Sequence, residues 1–205
     1  MSETSVPAGQ LERRRRILDA ATRLFAEAPY DAVQVDDLAR VAGVAKPTLY
    51  RYFDTKERLF VEALEGTLDE LRARVAAIAR GTGPADARLR AVIEVMFAEI
   101  GRLKALIRAL DSSAGTLGDR GRAVLRRELR HLRGEIALVL RDGARDGLFA
   151  PVDPELAALV VLGGVRMSAD NGDGDPARAV GDILLRGLLA RRPGAAGNGA
   201  ANDKD

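Results

Sequence analysis

Lys46, Thr48, Tyr50, Arg51 and Tyr52 fall within a span of seven residues that also holds Pro47. Two cations, a hydroxyl and two phenols stand together here with no carboxylate among them. Such a set has no base beside a nucleophile, so it is poorly suited to group transfer. It is well suited to donating hydrogen bonds to anionic oxygens and to acceptor edges of nucleobases. Catalytic combinations are not evident elsewhere. His131 is the only histidine, set between Arg130 and Leu132, and it reads as a solvated helix residue. Cysteine is absent, which removes disulfides and thiolate ligands. No spacing argues for paired carboxylates, and no glycine-rich phosphate loop follows a strand. The sequence therefore predicts no enzyme, no cofactor and no metal. Asn171-Gly172-Asp173-Gly174-Asp175 has some look of a calcium loop, but it lacks the closing glutamate.

The polar set needs a rigid mount, and the flanking residues supply one. Val35, Leu38, Ala39 and Ala42 fall on one face of a short helix. Gly43 tolerates the positive φ that ends a helix and turns the chain, and Val44 can fill the angle. A second helix restarts at Lys46, with Pro47 in its first turn, where a missing N–H costs nothing. Leu49 and Phe53 face inward, four residues apart. Lys46, Thr48, Tyr50, Arg51 and Tyr52 are left for an outside partner, and Val35 at the head of the first helix joins them. This is a helix-turn-helix, the form that lays its second helix in the DNA major groove. Behind it Ile17, Leu18, Ala21, Leu24 and Phe25 form a full apolar stripe, which Pro29 stops. Arg13-Arg14-Arg15-Arg16 opens that supporting helix. The run is either a solvated charge cluster or an arm that reaches phosphates, with Arg15 and Arg16 as the contacts.

From Leu38 to Glu57 the chain reads Leu-Ala-Arg-Val-Ala-Gly-Val-Ala-Lys-Pro-Thr-Leu-Tyr-Arg-Tyr-Phe-Asp-Thr-Lys-Glu. This resembles the N-terminal signature of the tetracycline-repressor (TetR) family of bacterial transcriptional regulators. The resemblance runs from about Arg14 to Leu64, and beyond that it is one of helical layout. It implies an all-α fold: a three-helix DNA-binding domain followed by a helical ligand-binding and dimerisation domain. It implies three partners: double-stranded DNA carrying a palindromic operator, a second copy of the chain, and a small-molecule effector of unknown identity. It also implies a phosphate contact at Lys56. Two positions depart from the pattern. Gln34 and Ala45 stand where the family commonly caps the two helices with Thr or Ser, a loss of about 1 kcal/mol each. A bound phosphate could satisfy the uncapped groups.

Asp54 and Glu57 have the spacing of a capping box, with Thr55 as the competing cap, at the start of a helix of about 25 residues that ends at Gly81-Thr82-Gly83-Pro84. At 1.5 Å per residue it spans roughly 37 Å, long enough to join two domains. Helices follow over 85–110, with Gly101 expected to divide them, and over 120–141, after a loop at 111–118 and before Gly143 and Gly147. Two more cover Pro151 to Ala169 and Pro176 to Ala190.

Leu156, Leu159, Val160, Gly163, Gly164, Ile183, Leu184 and Leu188 make the last two helices more apolar than a surface requires. They are buried within the subunit or form the dimer interface that the resemblance implies. Ile93, Met96, Phe97, Ile100, Leu103 and Met167 are ordinary core or the wall of an effector pocket. The domain reading is a disordered leader at 1–10, a DNA-binding domain at 11–54, a regulatory and dimerisation domain at 55–192 and a disordered tail at 193–205.

The totals agree with this reading. Hydrophobic residues make up 47% of the 205 residues and aromatics 4%, with no tryptophan, so the core must be aliphatic. No apolar run approaches the roughly 18 residues of a membrane span, and the first residues lack the form of a secretion signal, which points to the cytoplasm. Net charge is only +2, so the case for DNA rests on where the cations stand. The expected function is a repressor that binds its operator as a homodimer and is released by its effector. The alternatives are a sequence-independent architectural DNA-binding protein and a small-molecule binding helical protein with a vestigial helix-turn-helix.

Overall fold

The computed structural model describes residues 8–111, 116–168 and 175–189. These form eight α-helices: α1 Ala8–Glu27, α2 Val35–Ala42, α3 Lys46–Tyr52, α4 Lys56–Ala79, α5 Ala85–Asp111, α6 Thr116–Arg145, α7 Pro154–Ser168 and α8 Pro176–Leu188, with a 3-10 turn at Tyr30–Ala32. Among the described residues the only β pairing is a single bridge between Phe149 and Leu189. The all-α expectation holds.

The helices share one hydrophobic core. Ile17, Ala21 and Phe25 of the predicted stripe on α1 are wholly buried, as is Ala20, while Leu18 and Leu24 are half-buried against the core. They pack against α2 and the first half of α4, where Leu59, Phe60 and Leu64 are wholly buried too. Further along α4, Leu68, Leu71, Val75 and Ala79 enter a second layer built with α5 and α6. α7 packs on α6 and α5, and α8 closes on α5 and α7.

Several element boundaries differ from the sequence reading. α1 already begins at Ala8, so residues 8–10 belong to a helix and not to a leader. Gly101 does not divide α5, which continues for 27 residues, because Met96, Leu103 and Leu106 on either side are buried and hold it in register. α6 starts at Thr116, inside the expected loop, and runs through Gly143 to Arg145. It stops at Gly147, whose φ of 70° only glycine adopts at little cost. α8 ends at Leu188, where Leu189 turns out of the helix to bridge Phe149. Met1 to Pro7, 112–115, 169–174 and 190–205 lie outside the described residues, and with them most of the leader, the tail and the Asn171–Asp175 run.

Two polar devices tie α4 to its neighbours. Arg88 of α5 donates to the Ala79 carbonyl (2.5 Å), the Gly83 carbonyl (3.1 Å) and the Asp142 carboxylate of α6 (3.1 Å). It satisfies a carbonyl at the open C-terminal end of α4 and joins three helices there. Nearer the middle, Glu128 of α6 is only 4% exposed and faces Arg127 (2.6 Å), Arg72 of α4 (3.3 Å) and His131 (3.5 Å). Burial alone would raise its pKa, but the Arg127 guanidinium, with His131 behind it, holds it below the usual carboxylate range.

Gly143 serves packing rather than termination. A Cβ there would lie 2.1 Å from the Phe149 ring, which is buried against α6. Gly143→Ala should lower stability by about 1–3 kcal/mol through overpacking. Gly134→Ala, in the same helix with nothing within 4 Å, should raise it by up to about 1 kcal/mol. Urea denaturation of the two variants checks the pair, and equal shifts would refute the packing role.

Candidate nucleic-acid interface

α2 and α3 form the expected helix-turn-helix. Gly43 sits at φ 64°, ψ 40°, and its N–H bonds back to the Arg40 carbonyl at 3.2 Å. Val44 follows with an N–H to Ala39 at 3.0 Å, and its side chain is half-buried against the core. Leu49 and Phe53 are wholly buried, which fixes the rotation of α3. That rotation exposes Lys46, Pro47, Tyr50 and Arg51 and leaves Thr48 half-exposed. Tyr52 is half-buried against the core with the Arg51 guanidinium 5.7 Å from its ring, so it offers one edge only. Val35 is half-buried on the same core, so its side chain serves packing more than contact.

Neither helix has a side-chain cap, in keeping with Gln34 and Ala45. At α3 the shortfall is small. Thr48 and Leu49 both donate to the Ala45 carbonyl, at 2.9 and 3.1 Å, and Pro47 has no N–H to leave open. At α2 the first bond is from Leu38 to Gln34 at 3.2 Å, and the turn before it is helped by Asp36 and Asp37, whose charge suits a helix N-terminus.

The cations divide into two groups. Arg15, Arg16 and Arg51 are exposed. Arg14 is held: its guanidinium pairs with Glu62 of α4 and lies 5.4 Å from the Phe53 ring. Lys46 meets the Asp36 carboxylate at 3.1 Å, an exposed pair that high salt or a phosphate can replace.

Lys56 departs most from the reading given above. Its Nζ donates to the Val33 carbonyl at 2.8 Å and lies 4.3 Å from the centre of the Tyr30 ring. The ammonium points into the protein instead of outward to a phosphate, and burial lowers its pKa. Tyr30 also stacks on Phe25 at 5.7 Å and meets the edge of Phe60 at 5.5 Å. Burial first, then Glu57 and Asp31, pushes its hydroxyl up to about 12. The cap of α4 is Thr55, which accepts from the Arg58 N–H at 3.0 Å. Asp54, expected to lead a capping box, is drawn to the Arg58 guanidinium at 2.7 Å. Neither Tyr30 nor Val33 was singled out from sequence. The aromatic spacing of Phe25, Tyr30 and Phe60 was the available signal for Tyr30.

The other candidate residues lie far from the reading head. Ile93, Met96 and Leu103 are buried in the core, with Phe97 and Ile100 half-buried against it. Met167 does not join them: it is 79% exposed, because it lies on the outer face of α7. Leu156, Leu159, Val160 and Ile183 are exposed by 53–71%, while Leu184 and Leu188 are half-buried on the core. A Cβ on Gly164 would reach Val180 at 3.7 Å and Leu184 at 3.9 Å, so this glycine sits where α7 and α8 meet. Gly163 faces open space. Two grooves lie near the head instead. One of about 470 Å³ runs from Asp54 and Arg58 to Arg120, and one of about 440 Å³ lies between α1 and α4.

Residues 17–63 match the family model described as bacterial regulatory proteins, tetR family. Residues 82–170 match the Tetracyclin repressor-like C-terminal domain. The chain is 30% identical over 154 residues to the HTH-type transcriptional regulator YhgD of Bacillus subtilis, covering 74% of this chain and 80% of that one. It is 32% identical over 152 residues to the HTH-type transcriptional repressor KstR2 of Rhodococcus jostii, covering 73% and 74%. The fold is that of FadR from Bacillus subtilis, solved in complex with stearoyl-CoA, at a TM-score of 0.69, 22% identity and 84% and 98% coverage.

The open first turn of α2 gives a test. Gln34→Thr should restore the side-chain cap and stabilise the protein by about 1 kcal/mol, read as a higher urea midpoint with an unchanged slope. No change would mean that Asp36 and Asp37 already compensate.

Proposed function

Since the chain belongs to the TetR family of bacterial transcriptional regulators, we propose that it is a homodimeric repressor that occupies a palindromic operator and leaves it when a small effector binds. The reading head is α1 to α3, set out above as residues 11–54, and α4 to α8 are the regulatory and dimerisation part. The observation that carries the proposal is the orientation of α3. Leu49 and Phe53 hold one side in the core and turn Lys46, Thr48, Tyr50 and Arg51 outward.

In the operator complex Lys46 and Thr48 approach base edges, and Tyr50, Arg51, Arg15 and Arg16 hold phosphates. Two heads must stand roughly 34–36 Å apart to read successive turns of duplex. The outer face of α7 and α8 supports a dimer that could set this distance. Leu156, Leu159, Val160, Gly163 and Met167 share one side of α7, and Ile183 lies on α8. A lone subunit seldom leaves so much aliphatic surface in water.

Release requires an effector that binds the spread arrangement of heads better than the DNA-bound one. We place its site in the α5 layer, where it has to part Met96, Phe97, Ile100 and Leu103. Repression is favoured over sequence-independent coating because Thr48 and Lys46 offer base-reading groups, not charge alone.

Three measurements check this. A duplex enriched by the protein from a random pool should bind at least ~10³-fold tighter than the pool itself; equal affinities would leave only a coating protein. Thr48→Ala should relax preference at one base-pair position, at about 1–3 kcal/mol, while Arg16→Ala should weaken all duplexes alike and reduce the salt slope by about one. Ile183→Glu with Leu159→Glu should give a folded monomer by sedimentation, with loss of operator affinity. A dimer that survives both charges would move the interface elsewhere.

A further inference from the structure

We propose that Lys56 is a positioning residue for DNA binding: its ammonium locks the start of α4 to the backbone entering the helix-turn-helix, and it does not contact phosphate. The inference rests on the DNA-binding reading and goes beyond it by assigning the joint between reading head and body.

The geometry of the joint is specific. Lys56 is the first residue of α4, and Val33 lies at the end of the 3-10 turn, one residue before Gln34 at the cap of α2. The 2.8 Å bond from Nζ to the Val33 carbonyl therefore links the first turn of the body's helix to the chain just ahead of α2. Lys56 and Phe60 are four apart and so share one side of α4. They reach Tyr30 together, the ammonium 4.3 Å from the ring centre and the Phe60 ring at 5.5 Å. Phe25 of α1 stacks on Tyr30 at 5.7 Å. One aromatic residue is thus gripped by α1 and by α4, and the cation on it also ties down the backbone beside it.

Nζ has three hydrogens. One is spent on a carbonyl and the group lies against a ring face, so its field is directed into the protein. Swinging it out to a phosphate would break the carbonyl bond and the ring contact at once. Arg58 at the same helix start is held by Asp54 at 2.7 Å and Glu62 at 2.8 Å, so it is not placed to replace the latch.

Lys56→Met keeps the stem and removes the charge. In the DNA-free protein, amide hydrogen exchange at Leu38 and Ala39 should rise about tenfold as α2 loses its anchor. Affinity for a duplex enriched by the wild-type protein should fall about tenfold. Binding to the unselected pool, and the slope of log affinity against log salt, should stay as in wild type. Tyr30→Leu should reproduce these changes, the double variant should be no worse than either single one, and Tyr30→Phe should be silent. A slope reduced by about 0.9 in Lys56→Met, with both duplex classes weakened, marks a phosphate contact and overturns the latch. Unchanged exchange overturns it whatever the DNA result. If the wild-type protein enriches no duplex, the DNA-binding reading fails, and exchange alone still decides the latch.

Discussion

α4 has to serve two layers of one core with a single helix. Leu59, Phe60, Ala63 and Leu64 are buried beneath α1, and Leu68, Leu71, Val75 and Ala79 are buried against α5 and α6. Each buried leucine contributes roughly 1.5–3 kcal/mol, so neither half can leave its layer without losing a large fraction of the stability of a typical domain. Because the helix is continuous for 24 residues, the two halves cannot reorient independently. The direction of the reading head is therefore a property of how the body packs. Repositioning α4 in the second layer therefore bears on the head, and α5, which packs on α1 directly, gives the body a second hold on it.

Charge refines this arrangement without creating it. Exposed ion pairs between near neighbours, such as Arg40 with Asp37 and Arg72 with Asp69, add little. Two partly buried cations are different in placement: Arg88 sits at one end of α4 and Lys56 at the other. Both donate to main-chain carbonyls, which do not titrate and do not move by rotamer change. A carbonyl partner therefore fixes the backbone itself, whereas a carboxylate on a flexible stem fixes only its own tip. The exposed cations Arg15, Arg16 and Arg51 remain for an anionic partner.

Much of this was legible in the sequence because it follows from local rules. The apolar spacing of α1 and α2, the left-handed glycine at 43, the proline in the first turn of α3 and the inward pair Leu49 and Phe53 each depend on near neighbours. What was not legible depends on contacts distant in sequence. Lys56 reads as a free cation until Val33 and Tyr30 are folded against it. Gly143 reads as a helix stop until Phe149 is seen to need its missing Cβ. Gly101 reads as a break until the buried residues on both sides are counted. Asp54 reads as the cap of α4 by its capping-box spacing, but Thr55 caps the helix while the Asp54 carboxylate pairs with Arg58. Met167 was grouped with residues of α5 by type alone, and its position on α7 put it in water.

The weak points and the strong points of the head are arranged in a way that bears on function. α2 and α3 are short, lack side-chain caps and hold few buried residues. Their own propensity for order is modest, since isolated helices of seven or eight residues are unstable in water. What orders them is attachment to α1 and α4 at the Tyr30 joint and through Leu38, Leu49 and Phe53. A reading element held in this way adapts to the duplex at its tips while its root stays aligned with α4. How strongly the operator is preferred over other duplexes then depends on how well the root is held, and which bases are preferred depends on side chains at the tip. These two quantities are carried by different residues, so they can change separately, and that separation lets a change in the body alter occupancy of the operator without altering which operator is read.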